Sequence, residues 1–179
     1  RLVLADDVAA AAAADRAALV LQADVLRGSA AGSVLLGGRR SALAAASDGT
    51  PRLAIDAGGT QALRVALDAA RPLVLEELLL AASGSVDIAA GSQLQAAASG
   101  TLGAHGLQLA GDGALAAVSA NALDVQRSAA LLAGGRLVLG AQATLGGRSV
   151  ALDATGGLQA DATATLRATA LDLASNRLV

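Results

Sequence analysis

The chain contains no cysteine, no methionine and no aromatic residue, and each absence narrows what it can be. Without cysteine it builds neither a disulfide framework nor a thiolate metal site, which suits a protein that crosses an oxidising periplasm unfolded. Without Phe, Tyr or Trp, the interior of a chain that is 54% hydrophobic falls to Leu, Val, Ile and Ala. Aromatic side chains fill the irregular gaps between packed layers; their loss favours narrow, uniform gaps such as those between stacked equivalent coils. Lysine is missing too, and the 13 basic residues, all Arg, stand against 15 acidic ones for a net charge of −2. That balance lacks the basic footprint of a nucleic-acid or anionic-membrane binder. Histidine occurs once, at His105, so a multi-imidazole metal site is excluded, and no cofactor is expected. The longest strongly apolar run, Val8 to Ala14, lies between Asp7 and Asp15 and is far too short to span a bilayer. No signal peptide opens the sequence, so a secretion signal, if the parent protein has one, is expected outside it.

What is present is a period. Triplets with apolar residues on either side of a central one recur as Val65-Ala66-Leu67, Val86-Asp87-Ile88, Leu107-Gln108-Leu109, Ala130-Leu131-Leu132, Val150-Ala151-Leu152 and Leu171-Asp172-Leu173. Their first residues step by 21, 21, 23, 20 and 21. A second series, Leu73, Leu94, Leu115, Leu137, Leu158 and Leu178, steps by 21, 21, 22, 21 and 20, and a third, Leu102, Leu123, Leu145 and Leu166, by 21, 22 and 21. A fixed period of this length marks a solenoid. Within the triplets Asp87, Gln108 and Asp172 alternate with apolar neighbours, which is the two-residue period of a strand. The expected fold is therefore all-β, a parallel β-helix of about 21 residues and three short strands per coil. Roughly eight such coils, about 4.8 Å apart, give a rod on the order of 40 Å long. The expected core stacks are Val65, Leu67, Val86, Ile88, Leu107, Leu109, Leu132, Val150, Leu152, Leu171 and Leu173, joined by Leu115, Leu137 and Leu158.

Glycine falls where this scheme needs corners: Gly113, Gly135 and Gly157 lie one or two residues before Leu115, Leu137 and Leu158. The two prolines, Pro51 and Pro72, are expected at strand starts or turns, where a ladder donor is not needed. Residues 43–179 read as regular coils and 1–42 as less regular. Val8 to Leu19 (VAAAAAADRAAL) has helical propensity, although an array is expected to override it, and Leu75 to Leu80 (LEELLL) is similarly ambiguous. An all-helical repeat is the structural alternative, but helical hairpin repeats usually need about 33 residues or more. Both ends of the sequence read as interrupted strands without a polar capping coil, so the chain is expected to be one segment, 1–179, of a longer filament that tends to associate end to end.

From about residue 84 onward, the segments GGRLVLGAQATLGGRSVALDATGG (134–157) and GGLQADATATLRATALDLASN (156–176) resemble the repeat region of filamentous haemagglutinins and related two-partner secretion exoproteins. The resemblance implies a right-handed parallel β-helix, exported through an outer-membrane partner. It implies a location that is secreted or on the bacterial cell surface, and a role as the shaft of an adhesin that attaches to host cells. Its partners would be host receptors or sulfated glycans reached by the full-length protein. The family's secretion domain with Asn-Pro-Asn motifs has no counterpart here, nor is there an Arg-Gly-Asp triplet.

Candidate chemistry is sparse. Gly37-Gly38-Arg39-Arg40 presents two guanidinium groups as forked donors for a sulfate or phosphate. Arg127, Arg148 and Arg167 step by 21 and 19 and are expected to form a column suited to a polyanion such as heparin, blunted by Asp124 and Asp153. The competing reading of each is a solvated turn. His105 with nearby Ser and Asp reads as a solvated corner more readily than as a catalytic set. Gly111-Asp112-Gly113 lacks the nonapeptide calcium pattern, and Thr163 and Thr165 form one pair, not an ice-binding array. No enzyme is expected: a β-helical lyase or hydrolase needs clustered acids and long loops, whereas only Asp6-Asp7 and Glu76-Glu77 adjoin. A second functional expectation is the stalk of a contact-dependent toxin-delivery exoprotein, distinguished by a toxin domain at the carboxy-terminal end of the full-length chain.

Overall fold

The computed structural model describes residues 1–97, 105–110, 113–127, 134–175 and 179. Among the described residues strands dominate, and the fold is all-β with two short helices. The strands form three sheets. The first contains β1 (Leu2–Ala5), β2 (Leu19–Gln22), β6 (Ala62–Ala66), β9 (Ser85–Ile88), β14 (Arg136–Leu139) and β16 (Gly157–Ala160), in the order β16-β14-β9-β6-β1-β2. The middle sheet runs β3 (Ser33–Leu36), β8 (Glu77–Ala82), β12 (Ala114–Ser119), β15 (Thr144–Ala154), β10 (Gln93–Ala96) and β7 (Leu73–Leu75), with β17 (Thr165–Ala174) on the other edge of β15. The third runs β13 (Leu123–Arg127), β11 (His105–Ala110), β5 (Arg52–Asp56) and β4 (Arg39–Leu43). Among the described residues, only β12 with its two neighbours and the β4–β5 pair are antiparallel.

Two cores separate the three layers. Leu4, Leu63, Val65, Val86, Ile88, Leu137 and Leu158 of the first sheet meet Leu73, Leu80, Leu94, Leu145, Val150 and Leu152 of the middle one. The far face of the middle sheet sends Leu79, Ala81, Leu115, Ala117 and Ala151 against Ile55, Leu107 and Leu109 of the third. This arrangement explains the apolar runs. A strand covered on one face alternates, as β6 (ALRVA) and β14 (RLVL) do. A strand covered on both faces reads as continuously apolar, and β8 (ELLLAA) and β12 (ALAAVS) are buried throughout. The LEELLL segment thus holds the end of β7, a break at Glu76 and the start of the central strand β8, whose helical propensity is overridden by double burial. Each such Leu contributes about 1.5–3 kcal/mol by leaving water.

The period of the sequence survives in part. Leu137 lies opposite Leu158, Leu73 opposite Leu94, and Leu145, Val150 and Leu152 opposite Leu166, Leu171 and Leu173. Elsewhere the steps differ. Val65 pairs with Ile88 and Leu63 with Val86, a slip of two residues from the expected Val65–Val86 alignment that preserves the inward face. Leu94 lies opposite Leu145, well beyond the next expected coil, because the chain between them leaves the stack to make β11, β12 and β13. Leu107, Leu109 and Leu123 consequently join the third sheet, and Leu115 the second core, rather than the expected columns. Leu67 is buried beyond the end of β6, and Leu102, Leu132 and Leu178 lie outside the described residues. Leu171 and Leu173 keep register with buried partners but are 50% and 42% exposed, since β17 has no described strand on its outer edge. The expected uninterrupted stack of eight coils is therefore replaced, among the described residues, by shorter parallel runs flanked by a third layer. The departures from regularity are not confined to residues 1–42.

Val8–Ala14 folds as a helix, α1, against the expectation of an overriding array. The Asp7 carboxylate accepts the Ala10 N–H at 2.9 Å, satisfying a first-turn donor, and no strand of the first sheet competes for this segment. A second helix, α2 (Ala23–Arg27), follows β2. Pro51 and Pro72 immediately precede β5 and β7, as expected. Gly157 and Gly113 adopt φ of 149° and 155°, whereas Gly135 is needed for close approach: a Cβ there would lie 2.6 Å from the Ala114 nitrogen.

Candidate functional site

The five arginines singled out from the sequence do not converge. Arg39 and Arg40 begin β4, and neighbouring residues on a strand point to opposite faces. Arg39 pairs with Asp56 at 3.0 Å. Arg40 donates to Ser33 Oγ at 2.8 Å, and that hydroxyl donates to Glu77 Oε1 at 2.6 Å. The two guanidinium groups thus do not form one fork. Arg148 and Arg167 are exposed on the adjacent strands β15 and β17. Arg127 instead ends β13 on the third sheet, opposite Leu109, so the three do not share a column. The side chains of Arg127 and His105, and residues 111–112, lie outside the described set.

The third sheet carries a polar depression. Its inner face needs apolar residues for the second core, so alternation sends Arg52, Gly106, Asp124 and Gln126 outward from β5, β11 and β13. Gly106 lies opposite both Arg52 and Asp124. Having no side chain, it leaves room for the Arg52 stem, which a Cβ there would approach to 3.2 Å. The Arg52 guanidinium crosses to donate to Gln126 Oε1 at 2.5 Å, and the Gln126 amide donates to Asp124 at 3.5 Å. Ser47, Asp48 and Thr50 close the groove from the β4–β5 connection, giving a volume of about 420 Å³. The Thr50 N–H donates to Asp48 at 2.9 Å. Hydrogen bonds from the Thr50 hydroxyl and then its amide hold the Asp48 carboxyl below its usual range, so it stays an anionic acceptor. One guanidinium, two carboxylates, an amide and two hydroxyls give a surface matched to hydroxyl groups and slightly hostile to sulfate. Sequence reasoning missed these residues, although the alternation RLAID, HGLQLA, LDVQR carried the signal.

Other clusters serve the fold. Arg27 donates to Asp6 at 3.0 Å and to Asp24 at 2.9 Å, and Arg71 reaches Asp24 at 2.6 Å. The Arg27 hydrogen bond holds the Asp6 carboxyl below its ordinary value, and the network ties α2 and the 68–71 turn to the end of β1. A cleft of about 450 Å³ beneath α1 is walled by Val3, Ala10, Ala11 and Ala14 and rimmed by the Arg1–Asp15 and Arg64–Asp87 pairs. Buried Glu77 accepts from Ser33 and, at 3.4 Å, from Ser119. Thr163 closes a turn by donating its hydroxyl to Asp161 at 2.7 Å. Among the described residues no three His, Cys, Asp or Glu side chains are placed to hold a metal ion. Comparison with family models, with curated proteins and with solved structures found no match to this chain.

Proposed function

We propose that this chain is a shaft segment of a secreted, cell-surface filamentous adhesin, built on a right-handed parallel β-helix whose regular coils are interrupted by excursions. The supporting observation is the set of in-register pairs one period apart in two different sheets, Leu137 with Leu158, and Leu145, Val150 and Leu152 with Leu166, Leu171 and Leu173. Such a stack buries side chains only against neighbouring coils and extends without limit. Its excursions are free to carry contact surfaces, as loops on a rigid scaffold do. The attachment surface in this reading is the groove of Arg52, Asp124, Gln126 and Asp48, and its ligand is a neutral or amine-bearing glycan chain. With no aromatic residue to stack on a sugar ring, recognition rests on hydrogen bonds and is weak for a single site. The test is retention of the purified chain on immobilised neutral and sulfated glycans. Binding to neutral glycans that persists at high salt and is lost in Arg52→Ala and Gln126→Ala, with unchanged circular dichroism, is the expected result. Retention on heparin alone, abolished by salt, would move the site to the exposed arginines, and no retention on any glycan would remove the attachment role.

A further inference from the structure

The connection between β4 and β5 closes on itself at residues 46–50. The Gly49 N–H donates to the Ala46 carbonyl at 2.8 Å and the Ala46 N–H to the Thr50 carbonyl at 3.0 Å, while Gly49 takes a φ of 84°. This is a tight turn followed by one left-handed residue, a common hairpin closure. Its sequence is Ser47-Asp48-Gly49-Thr50. In an aspartate followed by glycine, the main-chain amide meets no Cβ of its own residue when it approaches the preceding side-chain carboxyl. The surroundings leave that approach open. Ser47, Asp48 and Gly49 are exposed, and a Cβ on Gly49 would meet no described atom within 4 Å. Among the described residues, the tip of the turn is therefore held chiefly by its own hydrogen bonds.

Thr50 supplies the restraint on Asp48. Its N–H donates to Asp48 Oδ1 at 2.9 Å, and its hydroxyl donates to the same carboxylate. These bonds fix the carboxyl on the Thr50 donors and favour its anion, whereas attack by the Gly49 nitrogen needs a carboxyl that is free to turn and protonated, so that an oxygen leaves as water. We propose that the Asp48–Gly49 bond is an isoaspartyl-forming site, which Thr50 holds closed in the folded chain and which reacts when the 46–50 turn opens. In that reaction the Gly49 nitrogen bonds to the Asp48 side-chain carboxyl carbon, and the amide proton leaves with the carboxyl hydroxyl as water, giving a succinimide ring. Water then adds to the ring carbonyl that belonged to the main chain. The bond from that carbon to the Gly49 nitrogen breaks, and the nitrogen takes up a proton. The product has the same atoms as the starting chain, but its main chain runs through the Asp48 side chain and is one methylene longer. The paired closures at Ala46 no longer match that length, so the turn does not re-form and the Asp48 wall of the groove shifts. The chemistry of the turn is independent of what the groove binds.

The arginines make the test specific. Cleavage after Arg40 and Arg52 releases residues 41–52, which contain Asp48–Gly49 and not the second Asp–Gly pair of the sequence, Asp112–Gly113. The aspartyl and isoaspartyl forms of this peptide have equal mass, separate by chromatography, and differ in that an isoaspartyl methyltransferase labels only the second. The chain is incubated at neutral pH, folded and in urea, and the peptide is then assayed. Isoaspartate is expected to form about a hundredfold more slowly in the folded chain than in the unfolded one, since the turn must open first. Thr50→Val removes the hydroxyl and keeps the N–H; in the folded state it should react about tenfold faster than the unsubstituted chain, the weight of one hydrogen bond to a charged acceptor. Thr50→Ser keeps the hydroxyl and should stay within about twofold of the unsubstituted chain, which separates loss of that bond from a general loosening of the hairpin. Equal rates in the folded and unfolded chains, a Thr50→Val chain no faster than the unsubstituted one, a Thr50→Ser chain as fast as Thr50→Val, or no isoaspartate in peptide 41–52 even after unfolding would each overturn the proposal.

Discussion

The parallel run β14–β17 and the excursion β11–β13 use the same local vocabulary to build different objects. Leu137-Val138-Leu139 and Leu107-Gln108-Leu109 alternate alike, and both sit on columns of the same period in the sequence. Leu137 nonetheless stacks on Leu158 one coil away, while Leu107 stacks on Leu53, more than two periods earlier, and on Val125, less than one period later. Alternation determines which face a side chain takes; the partner is chosen by connection length and by which edge lies open when the chain arrives. The difference teaches that a period in the sequence reports facing more faithfully than neighbours.

The largest way to break the comparison is a charge within a single column. Leu152 and Leu173 are register partners, one fully buried and the other 42% exposed. Leu152→Asp is expected to cost about 4 kcal/mol or more by burying an unpaired carboxylate. Leu173→Asp, measured at a concentration where the chain is monomeric, should cost about 0.5 kcal/mol or less. Comparable melting temperatures for the two would place both leucines in equivalent surroundings, contrary to the layering described. Next in size is Leu115→Ala, expected to cost about 2–5 kcal/mol. Because Leu115 packs in the second core and not in the Leu94–Leu145 column, amide exchange should quicken first in β5 and β11. Quickening first in β10 and β7 would return Leu115 to the column the period suggested.

How much of this was readable depends on which physical signal each element carried. The all-β class and the inward faces of Val65, Val86, Leu137, Val150 and Leu152 followed from alternation, and Pro51 and Pro72 marked strand starts. β8 reads ambiguously because double burial erases alternation, leaving ELLLAA without the period that separates strand from helix. α1 departs from the array because the Asp7 cap satisfies the first turn of an alanine run of high helical propensity, and no neighbouring coil demands the segment. The polar groove was hidden for another reason. Gly106 meets Arg52 across more than two periods and Asp124 across less than one, separations that no fixed repeat contains.

The smallest test concerns the anchorage of the excursion before β6, through Asp6 at the end of β1. Asp6 is only partly buried, so its pairing with Arg27 and Arg71 stabilises less than a core contact does. Its folded carboxyl titrates below the ordinary 3.8, chiefly because Arg27 donates to it. A carboxyl depressed in this way contributes stability that is fully present above its unfolded value and is lost as pH falls through its folded one. The advantage of the unsubstituted chain over Asp6→Asn should therefore be constant at neutral and mildly acidic pH and shrink below about 3.8. Denaturant midpoints of the two chains across that range measure it directly. A gap that stays constant into strong acid would mean that the charge on Asp6 is immaterial and that α2 is held by the packing of Ala23 and Leu26 alone.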